Sequence, residues 1–201
     1  TQYFFWAALS NRFSSGVDTK LAQDIEKMDR ILAEEAPDYR GEELVLTLDT
    51  LRWRWFSPGD AFCKAILCLY AYQQPRSFSN DHLVKMDNSW LKTANSVNYH
   101  HFFPRSYLDK QGFKNWEANC VLNITIVDDY LNKRSIGARP PAEYMQKFRV
   151  DNSALADTMR THLIYDLEGW GILENDYRAF IEARGEVVLK ELKKRLEPEL
   201  N

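Results

Sequence analysis

The stretch "ENDYRAFIEARGEVVLKELKKRLEPEL", residues 174–200, most limits what this chain can fold into. Phe180, Ile181, Val188, Leu189, Leu192 and Leu196 recur at helical spacing along it. One face of a long helix must therefore be buried against other elements. A second segment, "DTKLAQDIEKMDRILAEEA", carries Leu21, Ile25, Met28, Ile31 and Leu32 at similar spacing. Asp18 and Thr19 are its candidate N-caps, and Pro37 is its stop. "DAFCKAILCLYAYQQ" reads as a mostly buried helix closed by Pro75, and "RPPAEYMQKF" as a helix whose prolines suit a first turn. "EELVLTLDTLRWRWF" fits either a helix or a strand. Helices therefore dominate both ends of the chain.

The middle differs. Residues 76–97 are polar and turn-rich and read as a connection. "VNYHHFF" then has strand-like aromatic and β-branched content, broken by Pro104, and "CVLNITIV" reads as a second strand. "DDYLNKRSI" starts like a helix, with Asp128 and Asp129 placed to serve its dipole. The expected class is α+β, mainly α, over a single domain spanning 1–201. A helical part over 1–75 and the connection over 76–97 lead to a strand–strand–helix core over 98–150. Helices over 151–201 complete the chain.

Composition narrows the class. With 45% hydrophobic and 27% charged residues, this is an ordinary soluble globular chain, and its apolar runs are too short to span a bilayer. Three cysteines without a C-x-x-C pair argue against a disulfide framework or a zinc knuckle, so a reducing cytoplasm is expected. Cys63 and Cys68 read as core, as do Trp53, Trp55 and Phe56. His82 and His162 read as structural, and Arg184 as a surface ion-pair residue. Net charge is −3, yet residues 98–149 hold eight Lys or Arg against five Asp or Glu. The basic excess surrounds the adjacent pair His100 and His101.

Hydrolysis of a phosphodiester needs a base for water, positive charge for the phosphoryl oxygens, and a scaffold that holds both in register. Neutral imidazole suits the first role near neutral pH. Neighbouring residues on a strand face opposite sides. One histidine of the pair can thus serve a metal and the other the water. Asn132, on the expected helix, can offer an amide oxygen to a cation without adding charge, and Asn123 stands near the start of the second strand. Lys133, Arg134 and Arg105 are candidate contacts to a DNA backbone.

"HHFFP" followed by "NITIVDDYLN", with nine positions from Asn123 to Asn132, resembles the ββα-metal nucleases, also called HNH or His-Me finger nucleases. "FFWAALSNRFSSGVDTKLAQDI", "IGARPPAEYM" and "DYRAFIEARGEVVLKEL" look like the C-terminal nuclease half of GmrSD-type, modification-dependent restriction proteins. The resemblance implies a helical bundle around an embedded ββα-metal insert. It implies His101 as general base, His100 and Asn132 as ligands to one Mg²⁺ or Mn²⁺, and Asn123 as the brace of the loop carrying the base. The implied activity is metal-dependent endonucleolytic cleavage of foreign, possibly modified, DNA in a cytoplasmic antiviral restriction system. The implied partner besides DNA is a ParB-like nucleotidase domain or subunit absent from this chain, with no membrane. The alternative is a catalytically inactive DNA- or protein-binding module of a defence complex. Two departures stand out: His100 occupies a position that is often acidic in that family, and the insert from His101 to Asn123 is long.

Overall fold

The computed structural model describes residues 1–37, 39, 44–52, 54–86, 99–127 and 135–196. Its helices are α1 (Gln2–Leu9), α2 (Val17–Leu32), α3 (Leu48–Arg52), α4 (Ala61–Tyr72), α5 (Arg105–Lys110), α6 (Asn115–Ala118), α7 (Pro141–Asp151), α8 (Leu155–Arg160) and α9 (Tyr177–Leu196). Two short strands, β1 (Tyr99–His101) and β2 (Ile124–Ile126), pair antiparallel, and a 3₁₀ turn over Val121–Asn123 leads into β2. The protein is mainly helical with a two-stranded sheet. No helix among the described residues is long and apolar enough to cross a membrane.

α9 and α4 form the centre. The apolar face of α9 is buried as its periodicity requires, with Phe180, Val188 and Leu192 fully inaccessible. It packs on α1, α3, α4 and the 3₁₀ turn before β2. α4 starts at Asp60, whose carboxylate accepts from Cys63 N at 3.0 Å, so an N-cap sets its first turn. It buries Phe62, Cys63, Ile66, Leu67 and Leu69 and lies against β2. α7 opens on Pro140-Pro141, where a missing N–H costs nothing.

Four features depart from the sequence reading. α2 forms, but its apolar stripe faces outward: Ile25 is 61% and Leu32 82% exposed. The helix is anchored by its polar side instead. Asp24 is buried and accepts from Arg12 Nη2 at 2.8 Å and from Tyr3 Oη at 2.8 Å, while Arg12 lies over the Trp6 ring. The face turned in is thus the one whose carboxylate accepts bonds on both of its oxygens. Gly16 takes the N-cap position with φ +59°, so Asp18 falls inside the first turn rather than at the cap. Trp55 is 44% exposed, forming an isolated bridge with Cys120 rather than core. Arg184, expected on the surface, is 1% exposed. Trp53 lies outside the described residues.

His162 is structural, as its context suggests. Its Nε2 meets Arg76 O at 2.7 Å, and its ring stands edge-on to Phe78. A carbonyl only accepts, so Nε2 carries a proton. Burial lowers its pKa to about 4, and the nearby Arg184 cation acts in the same direction. The folded value lies below the unfolded value of about 6.5, so the unfolded chain binds the extra proton first. Stability from this ring is complete above pH ~6.5 and falls until about pH 4, by roughly 3 kcal/mol. His162→Gln keeps a donor but does not titrate. Urea midpoints taken from pH 7 to 4 should fall less in that variant than in wild type, and parallel curves would refute the assignment.

Candidate active site

In the β1–β2 ladder Tyr99 pairs with Ile126, His100 with Thr125 and His101 with Ile124. His100 and His101 therefore leave opposite faces of the strand. His100 is buried, at 8% exposure, and its carbonyl accepts from Thr125 Oγ1 at 3.3 Å. His101 ends the strand and is partly exposed. The two rings thus occupy different environments, as their adjacency on a strand requires.

The loop after His101 is held from several sides. Phe102 N donates to Asn123 O at 2.7 Å, extending the ladder by one bond. Asn123 is fully buried, and its amide ties the loop to the end of α6. Its Oδ1 accepts from Phe103 N at 2.8 Å, and its Nδ2 donates to Phe103 O at 2.9 Å and to Ala118 O at 3.0 Å. The amide thus copies a strand neighbour for one residue of loop. Tyr144 Oη donates to Phe102 O. The Phe102 ring stacks on Phe180 at 4.8 Å, and Phe103 packs on Phe180 and Tyr177. Pro104 then begins α5. Aromatic side chains fill the space under the loop, so the backbone beneath His101 has little room to move.

Asn123 stands at the end of the 3₁₀ turn, one residue before β2 rather than within the strand. Arg184 secures that turn from below. Its Nη1 donates to Leu122 O at 2.6 Å and Ile124 O at 2.8 Å, the carbonyls on either side of Asn123. Its Nη2 donates to His162 O at 3.0 Å, and its head lies over the Tyr70 ring.

The His101 ring touches segments from both halves of the chain. Its Nε2 is 2.8 Å from Asn119 Oδ1, and its ring stands perpendicular to that of Phe56 with centroids 6.5 Å apart. Asn119 is 5% exposed and follows α6. Its backbone and side chain both bond Phe56: Phe56 N donates to Asn119 O at 2.8 Å, and Asn119 Nδ2 donates to Phe56 O at 3.0 Å. Burial lowers the His101 pKa to about 4; Arg105 and His100 add to that direction, and the bond to Asn119 opposes it. The imidazole is neutral at pH 7, the form a base needs. Arg105 is exposed, donates to Asn115 Oδ1 at 2.7 Å, and lines a cleft of about 440 Å³ with Ser106, Asp109, Phe113, Asn115 and Ala118.

The structure therefore brings His101, Asn123 and Arg105 into one neighbourhood, with His100 on the reverse face of the same strand. Asn132, Lys133, Arg134, Asp128 and Asp129 lie outside the described residues. Among the described residues no three His, Cys, Asp or Glu side chains gather as a metal site. The expected donor set, one imidazole nitrogen and one amide oxygen, is neutral. It suits a divalent ion that also takes oxygens from water and phosphate. Two residues of the neighbourhood were not anticipated. Asn119 has no spacing signature; its only signal is a polar residue just ahead of the apolar run 120–122. Arg184 looks like any cation on an amphipathic helix.

Comparison with known protein families, curated proteins and solved structures finds no match for this chain.

Proposed function

We propose that the chain is a metal-dependent DNA endonuclease of the ββα-metal type. The observation that supports this reading best is the braced histidine: a neutral, partly exposed imidazole whose following loop is held at both the N–H and the C=O of Phe103 by the Asn123 amide. A general base must hold its position while water is deprotonated, and small misplacements cost rate steeply.

In this reading His101 takes the proton from the attacking water. Asn123 keeps the loop at a fixed height above β2. Arg105, at the cleft, meets a backbone phosphate, with Lys133 and Arg134 adding charge contacts that position DNA without reading its sequence. The resemblance assigns one Mg²⁺ or Mn²⁺ to His100 and Asn132, where it would supply positive charge against the phosphoryl oxygens and the departing 3′ oxygen; His100 itself is buried on the face of β1 opposite His101. The place in restriction of foreign, possibly modified, DNA and the ParB-like nucleotidase partner rest on the sequence resemblance.

Supercoiled plasmid incubated with Mg²⁺ or Mn²⁺ should be converted to nicked or linear form, and excess chelator should stop the conversion completely. Conversion that persists in chelator would refute a metal-dependent mechanism. The second reading, a catalytically silent DNA- or protein-binding module, draws on the exposed apolar face of α2. It expects DNA retention in chelator and no cleavage with any divalent ion.

A further inference from the structure

We propose that Asn119 is the positioning residue that selects the tautomer of His101 and leaves Nδ1 as the basic nitrogen. The inference rests on the endonuclease reading for its catalytic meaning, and on hydrogen-bond logic for its structural content.

The chain of bonds has a direction. The Phe56 carbonyl can only accept, so the group facing it at 3.0 Å must be the NH₂ of Asn119. The amide oxygen is then obliged to face His101, at 2.8 Å from Nε2. That oxygen accepts, so Nε2 must donate. A neutral ring has one N–H, and Nδ1 is left with its lone pair. Among the described residues Nδ1 has no hydrogen-bond partner. Flipping the Asn119 amide would set an oxygen against the Phe56 oxygen and an NH₂ against Nε2, losing one bond outright. The flip is also opposed by packing, because Asn119 is 5% exposed and its backbone oxygen already accepts from Phe56 N at 2.8 Å. The 54–56 segment is itself fixed on 119–121: Val121 N donates to Arg54 O at 3.0 Å, and Trp55 bridges Cys120. The frame that orients the amide is thus backbone on both sides.

Consequences follow for the reaction. The tautomer with Nδ1–H would direct a proton rather than a lone pair toward water, and would be inert as a base. Holding Nε2–H also stabilises the imidazolium formed once the proton is taken, because Nε2–H already has an acceptor. The role parallels that of the buried acceptor behind the histidine of hydrolytic triads, which fixes tautomer and orientation without itself reacting.

Two-bond ¹⁵N–¹H correlation spectra of ¹⁵N-histidine-labelled protein at pH 7.5, without DNA or metal, read the tautomer directly. Wild type should show His101 protonated at Nε2 and bare at Nδ1. Asn119→Leu should lose that preference and lower kcat for plasmid nicking at least tenfold, with KM for DNA within about twofold. Asn119→Asp keeps an acceptor toward Nε2–H but sets an oxygen against Phe56 O; it should retain the wild-type tautomer at a lower melting temperature. A wild-type spectrum with the proton on Nδ1, or an unchanged tautomer in Asn119→Leu, overturns the proposal even if the protein cleaves DNA. Wild-type protein with the expected tautomer and no cleavage under any divalent ion overturns instead the endonuclease reading, and with it the catalytic meaning of the relay.

Discussion

His101→Ala should lose between about a hundredfold and ten-thousandfold in plasmid nicking, the span a positioned general base contributes. Folding should survive, because the bonds that shape the site belong to the backbone and to Asn123. Phe102 N still reaches Asn123 O, and the Asn123 amide still clamps Phe103 on both its N–H and C=O. The deletion leaves Asn119 Oδ1 without its ring partner. Asn119 Nδ2 remains on Phe56 O, and the space left by a partly exposed ring admits water, so the cost should be about 1 kcal/mol. DNA retention in a filter or shift assay should change little, because the proposed phosphate contacts are Arg105 and other cations. His101→Gln should be as inactive as alanine: it restores a donor toward Asn119 and offers no basic nitrogen. The measurement is the nicking rate under metal saturation beside a urea melt of each variant. Wild-type rates in His101→Ala would remove the base from the mechanism, and a collapsed melt would make the ring structural instead.

The part of the site legible in the sequence is the part built by local periodicity. Two adjacent histidines on a short strand must diverge, and they do, with His100 opposite Thr125 and His101 opposite Ile124. Asn123 as a brace came from the family resemblance rather than from periodicity; in the structure its amide bonds both the N–H and the C=O of Phe103. The long separation from His101 to Asn123 is absorbed by α5 and α6, two short helices that return the chain to its starting point. Asn119 was not legible. Its meaning depends on Phe56, 63 positions earlier, and no spacing rule links residues brought together by tertiary packing.

The errors have a common origin. Periodicity measures where apolar side chains lie on an element, not which face the rest of the molecule accepts. For α9 the two coincide: Phe180, Val188 and Leu192 lie on its stripe and are fully inaccessible. For α2 they do not: the Arg12–Asp24 pair, with Tyr3 and Lys27 also on the carboxylate, turns the polar side in. Trp55 was misjudged for a related reason. It lies on an extended segment whose backbone, not its ring, is the part that pairs with residues near Cys120. The same blindness hid Arg184, because a cation at a core-facing helical position looks like a surface residue until its acceptors are known.

Arg184→Met should therefore be among the most damaging single changes away from the cleft, with a loss of roughly 4 kcal/mol. The guanidinium is fully buried, and no carboxylate pairs with it among the described residues; burial holds its pKa below the usual arginine range. Its partners are three main-chain carbonyls, those of Leu122, Ile124 and His162, and the Tyr70 ring. Methionine fills a similar volume and relieves the cost of a buried charge, which by itself favours the variant. Against that gain stand three buried carbonyls left without donors, at about 1–3 kcal/mol each. The carbonyls outweigh the charge because there are three of them, and those of Leu122 and Ile124 lie in the core where α9 packs on the turn before β2. Arg184→Lys should recover only part of the loss: one ammonium cannot span Leu122 O, Ile124 O and His162 O with the geometry of a planar fork. In a chain of this length the methionine variant should melt on the order of 10 °C lower. The loosened turn carries Asn123, so nicking at a temperature where the variant is still folded should also fall, through a lower kcat rather than weaker DNA binding. An Arg184→Met protein as stable as wild type would show that water or a rearranged turn satisfies those carbonyls, and that the clamp beneath the histidine loop is dispensable.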